Sequence, residues 1–217
     1  MHGTPLPGAR CHGSMTPMRT PHLTLGSFTL AFALFAAAGC GGDTTTTPAD
    51  LGAIGNPLTC LAYCDAVMAN CTGANSQYSD KASCIGTCAA YTAGTMADTA
   101  GNTLGCRIYH SGAAKNDANT HCPHAGPGGA GACGTNCEGF CAIAQKTCTG
   151  MVNSQFPNNA ECLTACGKYD AAKRYSSAET AGNTFACRLY HATVASTDAA
   201  SATTHCSHIG PNSPVCK

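Results

Sequence analysis

CLAYCDAVMANC, residues 60–71, places cysteines at i, i+4 and i+11, and CEGFCAIAQKTC, residues 137–148, repeats the spacing. On a 3.6-residue period these three positions share one helix face. A second C-x3-C follows in each half, at Cys84 and Cys88 and at Cys162 and Cys166. Two antiparallel helices that each carry C-x3-C can be laced twice, and helix geometry predicts Cys64–Cys84 and Cys60–Cys88 as the pairs.

The repetition extends over the rest of the chain. One set of eight cysteines comprises Cys60, Cys64, Cys71, Cys84, Cys88, Cys106, Cys122 and Cys133. The other comprises Cys137, Cys141, Cys148, Cys162, Cys166, Cys187, Cys206 and Cys216. TAGNTLGCRIYH, residues 99–110, returns as TAGNTFACRLYH, residues 180–191, and HCPHAGP, residues 121–127, returns as HCSHIGP, residues 205–211. An internal duplication of this kind predicts two folding units, module 1 over 57–134 and module 2 over 135–217. Each is too small and too poor in large apolar residues to rest on a conventional core. Four disulfides per module, at about 2–4 kcal/mol each, would supply the missing stability. Eight cysteines allow 105 pairings, so the full connectivity stays open.

The expected fold class is all-α: a small disulfide-rich helical module, tandemly duplicated. Asn56-Pro57 and Asn136 are the expected starts of the first helix in each module, and Ser79-Asp80 and Pro157-Asn158 those of the second. Gly101-Asn102-Thr103 and Gly182-Asn183-Thr184 start and cap a third helix. With Gly134-Thr135-Asn136 as the whole linker, the modules are expected to pack together.

The first 39 residues read as a signal peptide. Arg10 and Arg19 precede the apolar run LTLGSFTLAFALFAAAGC, which ends in small residues at Cys40. Initiation at Met15 or Met18 would give a signal of ordinary length. Ala37-Ala38-Gly39-Cys40 resembles the bacterial lipoprotein signal, although Ala37 stands where Leu is usual. That resemblance implies lipidation of Cys40, and Gly41 rather than Asp after it implies the outer membrane or cell surface. Residues 40–56 then form a lipidated flexible tether. Eight cysteine pairs fit an oxidising compartment.

Composition narrows the function. Of 217 residues only 10% are charged and the net charge is zero, so a nucleic-acid partner is not expected. No G-x-S-x-G, H-E-x-x-H or phosphate-cradling glycine motif is present. GPGGAGACG, residues 126–134, becomes GPNSPVC in the second copy and reads as a flexible loop. A phospholipase-like His-Asp pair is also missing, because Ser111 follows His110 and Ala192 follows His191. A secreted enzyme is therefore the weakest reading.

After the signal segment there are six histidines, and all occupy matched positions: His110, His121 and His124, then His191, His205 and His208. On a helix His110 lies one turn from Cys106, and His121 and His124 bracket Cys122. If the disulfides draw these segments together, three imidazoles converge, a set suited to Zn or Cu with a fourth position open. Tyr109 and Tyr190 are candidates to orient the ligands, and Arg107 and Arg188 await a partner. Alternatively, the duplication preserves these histidines as hydrogen-bonding structure. Haem attachment lacks its C-x-x-C-H motif.

CLAYC…NCTGANSQY, AGNTLGCRIYH and HCPHAGPGGAGACG together resemble cysteine-rich repeats of predicted secreted and surface proteins of myxobacteria, across roughly 57–217. The resemblance implies the module and supplies no activity. The leading expectation is a lipid-anchored, disulfide-stapled binding or interaction module at the cell envelope, with an unknown extracellular ligand or protein as partner. A metal-binding protein with one three-His site per module is the alternative.

Overall fold

A computed structural model describes residues 58–217; the expected signal peptide, Cys40, the expected tether and Asn56-Pro57 lie outside them. The described residues are helical. In module 1 these are α1 (Cys60–Asn70), α2 (Lys81–Cys88), α3 (Leu104–Ala113) and α4 (Ala118–Ala125). Module 2 follows with α5 (Asn136–Thr147), α6 (Gly150–Asn153), α7 (Asn159–Cys166), α8 (Phe185–Ala195) and α9 (Ala199–His205), then a 3₁₀ turn at Cys206–His208. Among the described residues, extended pairing is limited to the isolated bridges Thr92–Thr103 and Asp170–Thr184.

Side-chain caps decide where the helices start. Asp80 and Asn158 accept from the backbone N–H groups of Ser83 and Glu161, as their sequence context predicts. Thr103 and Thr184 cap α3 and α8 by accepting from Cys106 N–H and Cys187 N–H. Gly101 and Gly182, at φ 86° and 89°, turn the chain into those caps; a left-handed backbone is cheap only for glycine. Two expected caps are corrected. Thr59, not Asn56, caps α1 by accepting from Ala62 N–H. Thr135, not Asn136, caps α5, because Glu138 three residues on completes a capping box. Asn136 is the first helical residue, and its Oδ1 accepts from Ala130 N–H.

Among the described residues all sixteen cysteines are paired, and no bridge crosses between modules. Cys60–Cys88 and Cys64–Cys84 lace α1 to α2, and Cys137–Cys166 and Cys141–Cys162 repeat this for α5 and α7. Cys71–Cys122 and Cys148–Cys206 tie the end of the first helix of each module to its last helix segment. Cys106–Cys133 and Cys187–Cys216 tie the third helix to the chain beyond it. The cystines form much of each core. Around them pack Tyr63, Val67, Tyr78, Leu104 and Ile108 in module 1, and Phe140, Ile143, Phe156, Phe185, Leu189 and Ile209 in module 2.

The modules pack against each other. Gly86 of α2 lies so close to α8 that a Cβ there would sit 1.9 Å from the Ser196 carbonyl oxygen. Thr87 Oγ1 and Ser196 Oγ are 2.9 Å apart. The α7–α8 loop reaches back to module 1, where Tyr175 OH donates to Gln77 O and Ser177 N–H to Ser76 O. Arg174 donates to Asn75 Oδ1 and to Asn119 O. The second bond has a local cause: Pro123, inside α4, has no N–H to offer the carbonyl four residues back.

GPGGAGACG, expected to be a flexible loop, is a hydrogen-bonded turn. Gly129, Ala130, Gly131 and Gly134 take positive φ. Cys133 N–H donates to Gly129 O and Gly131 N–H to Gly134 O, while Ala132 O accepts from Gly101 N–H.

Candidate metal centres

The two histidine trios are assembled by the same devices. His110 and His191 project from α3 and α8, one turn after the half-cystines Cys106 and Cys187. The partner histidines flank Cys122 in α4 and Cys206 at the end of α9. The bridges Cys71–Cys122 and Cys148–Cys206 hold these segments in place.

In module 1 His110 Nδ1 lies 2.8 Å from His121 Nδ1. The His124 ring centroid is 4.8 Å from that of His110, and His124 Nδ1 is buried without a hydrogen-bond partner. In module 2 His191 Nδ1 lies 2.8 Å from His205 Nδ1 and 3.2 Å from His208 Nδ1. Within each trio one ligand atom per residue lies within 4.8 Å of the others. His110 and His191 are buried, and the other four are half-buried. All six histidines singled out in the sequence thus fall into two clusters. The sulfurs of Cys106–Cys133 and Cys187–Cys216 also lie close to His110 and His191, but as disulfides they offer no thiolate ligand.

The far nitrogen of each central ring sets its tautomer. His110 Nε2 is 3.2 Å from Thr99 O, and His191 Nε2 is 3.3 Å from Thr180 O. A carbonyl only accepts, so Nε2 carries the proton and Nδ1 presents a lone pair to the cluster. A backbone carbonyl behind a histidine is a common support for a metal ligand. Sequence reasoning assigned that support to Tyr109 and Tyr190. Their rings instead stand edge-on to His110 and His191, with centroids 5.0 and 5.2 Å away. The support comes instead from the backbone of Thr99 and Thr180, the first residue of the repeated phrase, and no residue type marks it in the sequence.

The electrostatics favour neutral rings. Burial, reinforced by His208 and His205, pulls the His191 pKa down to about 4. His110 is lowered mainly by burial, with His124 and His121 adding to it. Burial also lowers His124, His205 and His208. Neutral imidazoles at pH 7 are the form that ligates metal.

The two arginines found partners other than acids. Arg107 is fully buried over the Tyr91 ring, 3.6 Å from its centroid, and donates to Thr103 O, Gly126 O and Pro127 O. Arg188 lies 4.1 Å over Tyr169 and donates to Thr184 O and Asn183 Oδ1.

No curated protein and no solved structure matches the chain. A family model described as the BfoA family C-terminal domain matches it twice in tandem, over residues 42–136 and 135–214, and the chain belongs to that family.

Proposed function

We propose that this disulfide-rich tandem module is a metal-binding protein, with one Zn²⁺ or Cu²⁺ per module on His110, His121 and His124 and on His191, His205 and His208. One observation carries the reading. His205 Nδ1 and His208 Nδ1 both approach His191 Nδ1, which has a single lone pair, while Nε2 is already committed to Thr180 O. One lone pair serves one N–H donor well, so hydrogen bonding alone leaves a nitrogen of the trio unmatched. A cation at the centre satisfies all three at once. Tetrahedral Zn–N bonds near 2.0–2.1 Å set ligand nitrogens roughly 3.3 Å apart, so the 2.8 Å pairs His110–His121 and His191–His205 need to open by only about half an ångström. Three protein ligands leave a coordination position for water or a further ligand.

In this reading the protein works by binding rather than turnover, in an oxidising compartment outside the cytoplasm. Lipidation at Cys40, with the modules displayed at the outer membrane or cell surface, belongs to the same proposal. Replacing Cys40 with Ser should move the mature protein to the soluble fraction; unchanged membrane association would count against the anchor.

Metal analysis of the purified chain, after loading and desalting, tests the sites. The expected result is two Zn or Cu per chain, falling to one in His110→Ala and in His191→Ala. A chain that stays metal-free, with a stability indifferent to added Zn or Cu, refutes the proposal.

A further inference from the structure

Arg107 and Arg188 occupy matched positions but have unequal surroundings. Arg107 donates to two carbonyls of the following turn, Gly126 O and Pro127 O. The matching carbonyls in module 2 belong to Gly210 and Pro211, and Arg188 bonds to neither; it turns to Asn183 Oδ1. Arg188 is 3% exposed and its Nε is buried without a hydrogen-bond partner. Among the described residues the ion pairs are Lys81–Asp65 and Lys173–Glu179, so no acid neutralises Arg188. A buried guanidinium short of acceptors is costly unless something else provides them.

The space for that acceptor is present. A pocket of about 260 Å³ opens beside the arginine, lined by Arg188, Asn183, Lys168, Tyr169, Ala165 and Pro211. Lys168, Asn183 and Pro211 are exposed at its mouth. Lys168 adds a second cation at a position where module 1 has Ala90. In module 1 the same region is occupied: Gly134 lies against Asn102, the counterpart of Asn183, close enough that a Cβ on it would sit 2.7 Å from the Asn102 Cβ. Module 2 therefore pairs two cations with an open pocket where module 1 is closed.

We propose that this pocket binds an oxyanion of the phosphate or carboxylate class, held by Arg188 from inside and Lys168 from the rim, with the Asn183 amide beside them. The volume suits a phosphate group or a small organic acid and is slightly below the usual range of ligand pockets, about 300–1,000 Å³. Arginine is matched to such groups by its planar array of donors. The site is independent of the histidine trios and survives their failure.

The test titrates inorganic phosphate into metal-stripped protein carrying Cys40→Ser, with the Arg188 Nε–H resonance as the readout. Stripping removes any phosphate binding through a metal. Saturable movement of that resonance, with affinity about tenfold weaker in Lys168→Ala, is the expected result. Lys168 is exposed, so its replacement leaves the fold intact. A second arm uses vesicles of phosphatidylglycerol. Vesicle binding competed by phosphate assigns the anion to a lipid headgroup, and phosphate binding without vesicle binding assigns it to a free anion. No movement of the Arg188 signal at tens of millimolar phosphate, or equal movement in Lys168→Ala, overturns the proposal.

Discussion

Removing the bridge Cys71–Cys122, as the double variant Cys71→Ala/Cys122→Ala, separates two roles of one staple. It closes a span of 51 residues. The chain-entropy relation for a loop of that length gives about 4 kcal/mol of stability at 25 °C. For a chain of this size that corresponds to a fall in Tm of roughly 8–16 °C. The same bridge holds α4, and with it His121 and His124, against the end of α1. Guanidinium unfolding followed by circular dichroism reads the first effect, and Zn titration of the variant reads the second. The double variant should keep its helices, lose about 4 kcal/mol and bind Zn tightly only once, through His191, His205 and His208. Two unaltered Zn sites in a variant that has lost the stability would show that the trio does not depend on the staple. An unchanged unfolding midpoint would refute the entropic argument itself.

The remaining predictions concern pH and packing. His191 has its pKa lowered to about 4 from an ordinary 6.5, so the neutral folded form is favoured. That contribution is complete above pH 6.5 and is lost as pH falls from 6.5 toward 4; His110 acts in the same direction. Unfolding midpoints of metal-free protein should drop across this interval in the wild type and less in His191→Gln, and equal slopes would contradict the assignment. Gly86→Ala drives a methyl group into the Ser196 carbonyl and should cost about 1–3 kcal/mol, measured by the same unfolding assay; a neutral effect would mean that the α2–α8 contact is looser than described. Arg174→Ala removes two donors from an exposed side chain and should cost less than about 1 kcal/mol. Its clearer signature is a changed carbonyl shift at Asn119, which α4 cannot compensate because Pro123 has no N–H.

The helix–disulfide pattern was legible because cysteine spacing and helix period are both local. Cys60 and Cys64 opposite Cys88 and Cys84 leave little choice of pairing once both segments are helical. Cys71–Cys122 and Cys106–Cys133 were not legible, since long-range bridges depend on how α3 and α4 return to α1. The six histidines could be recognised as a set from their matched positions, while the role of Thr99 and Thr180 could not. A backbone carbonyl has no residue signature, and its placement depends on the left-handed turns at Gly101 and Gly182. Arg188 was equally opaque: its identity with Arg107 in the repeated phrase concealed a difference set by the chain beyond Pro211. The cap at Thr135 was missed because Asn136 is itself a good capping residue, and only Glu138 three positions after Thr135 tips the choice.

Confinement of every bridge to its own module has a consequence for biosynthesis. All four bonds of the first module join residues between Cys60 and Cys133, and all four of the second join residues between Cys137 and Cys216. A chain entering an oxidising compartment N-terminus first can finish the first set before any thiol of the second arrives. Its search then covers 105 arrangements twice in succession instead of roughly 2 × 10⁶ for sixteen cysteines at once. The second set closes beside a completed template, and Arg174 and Tyr175 dock onto a surface that has already matured.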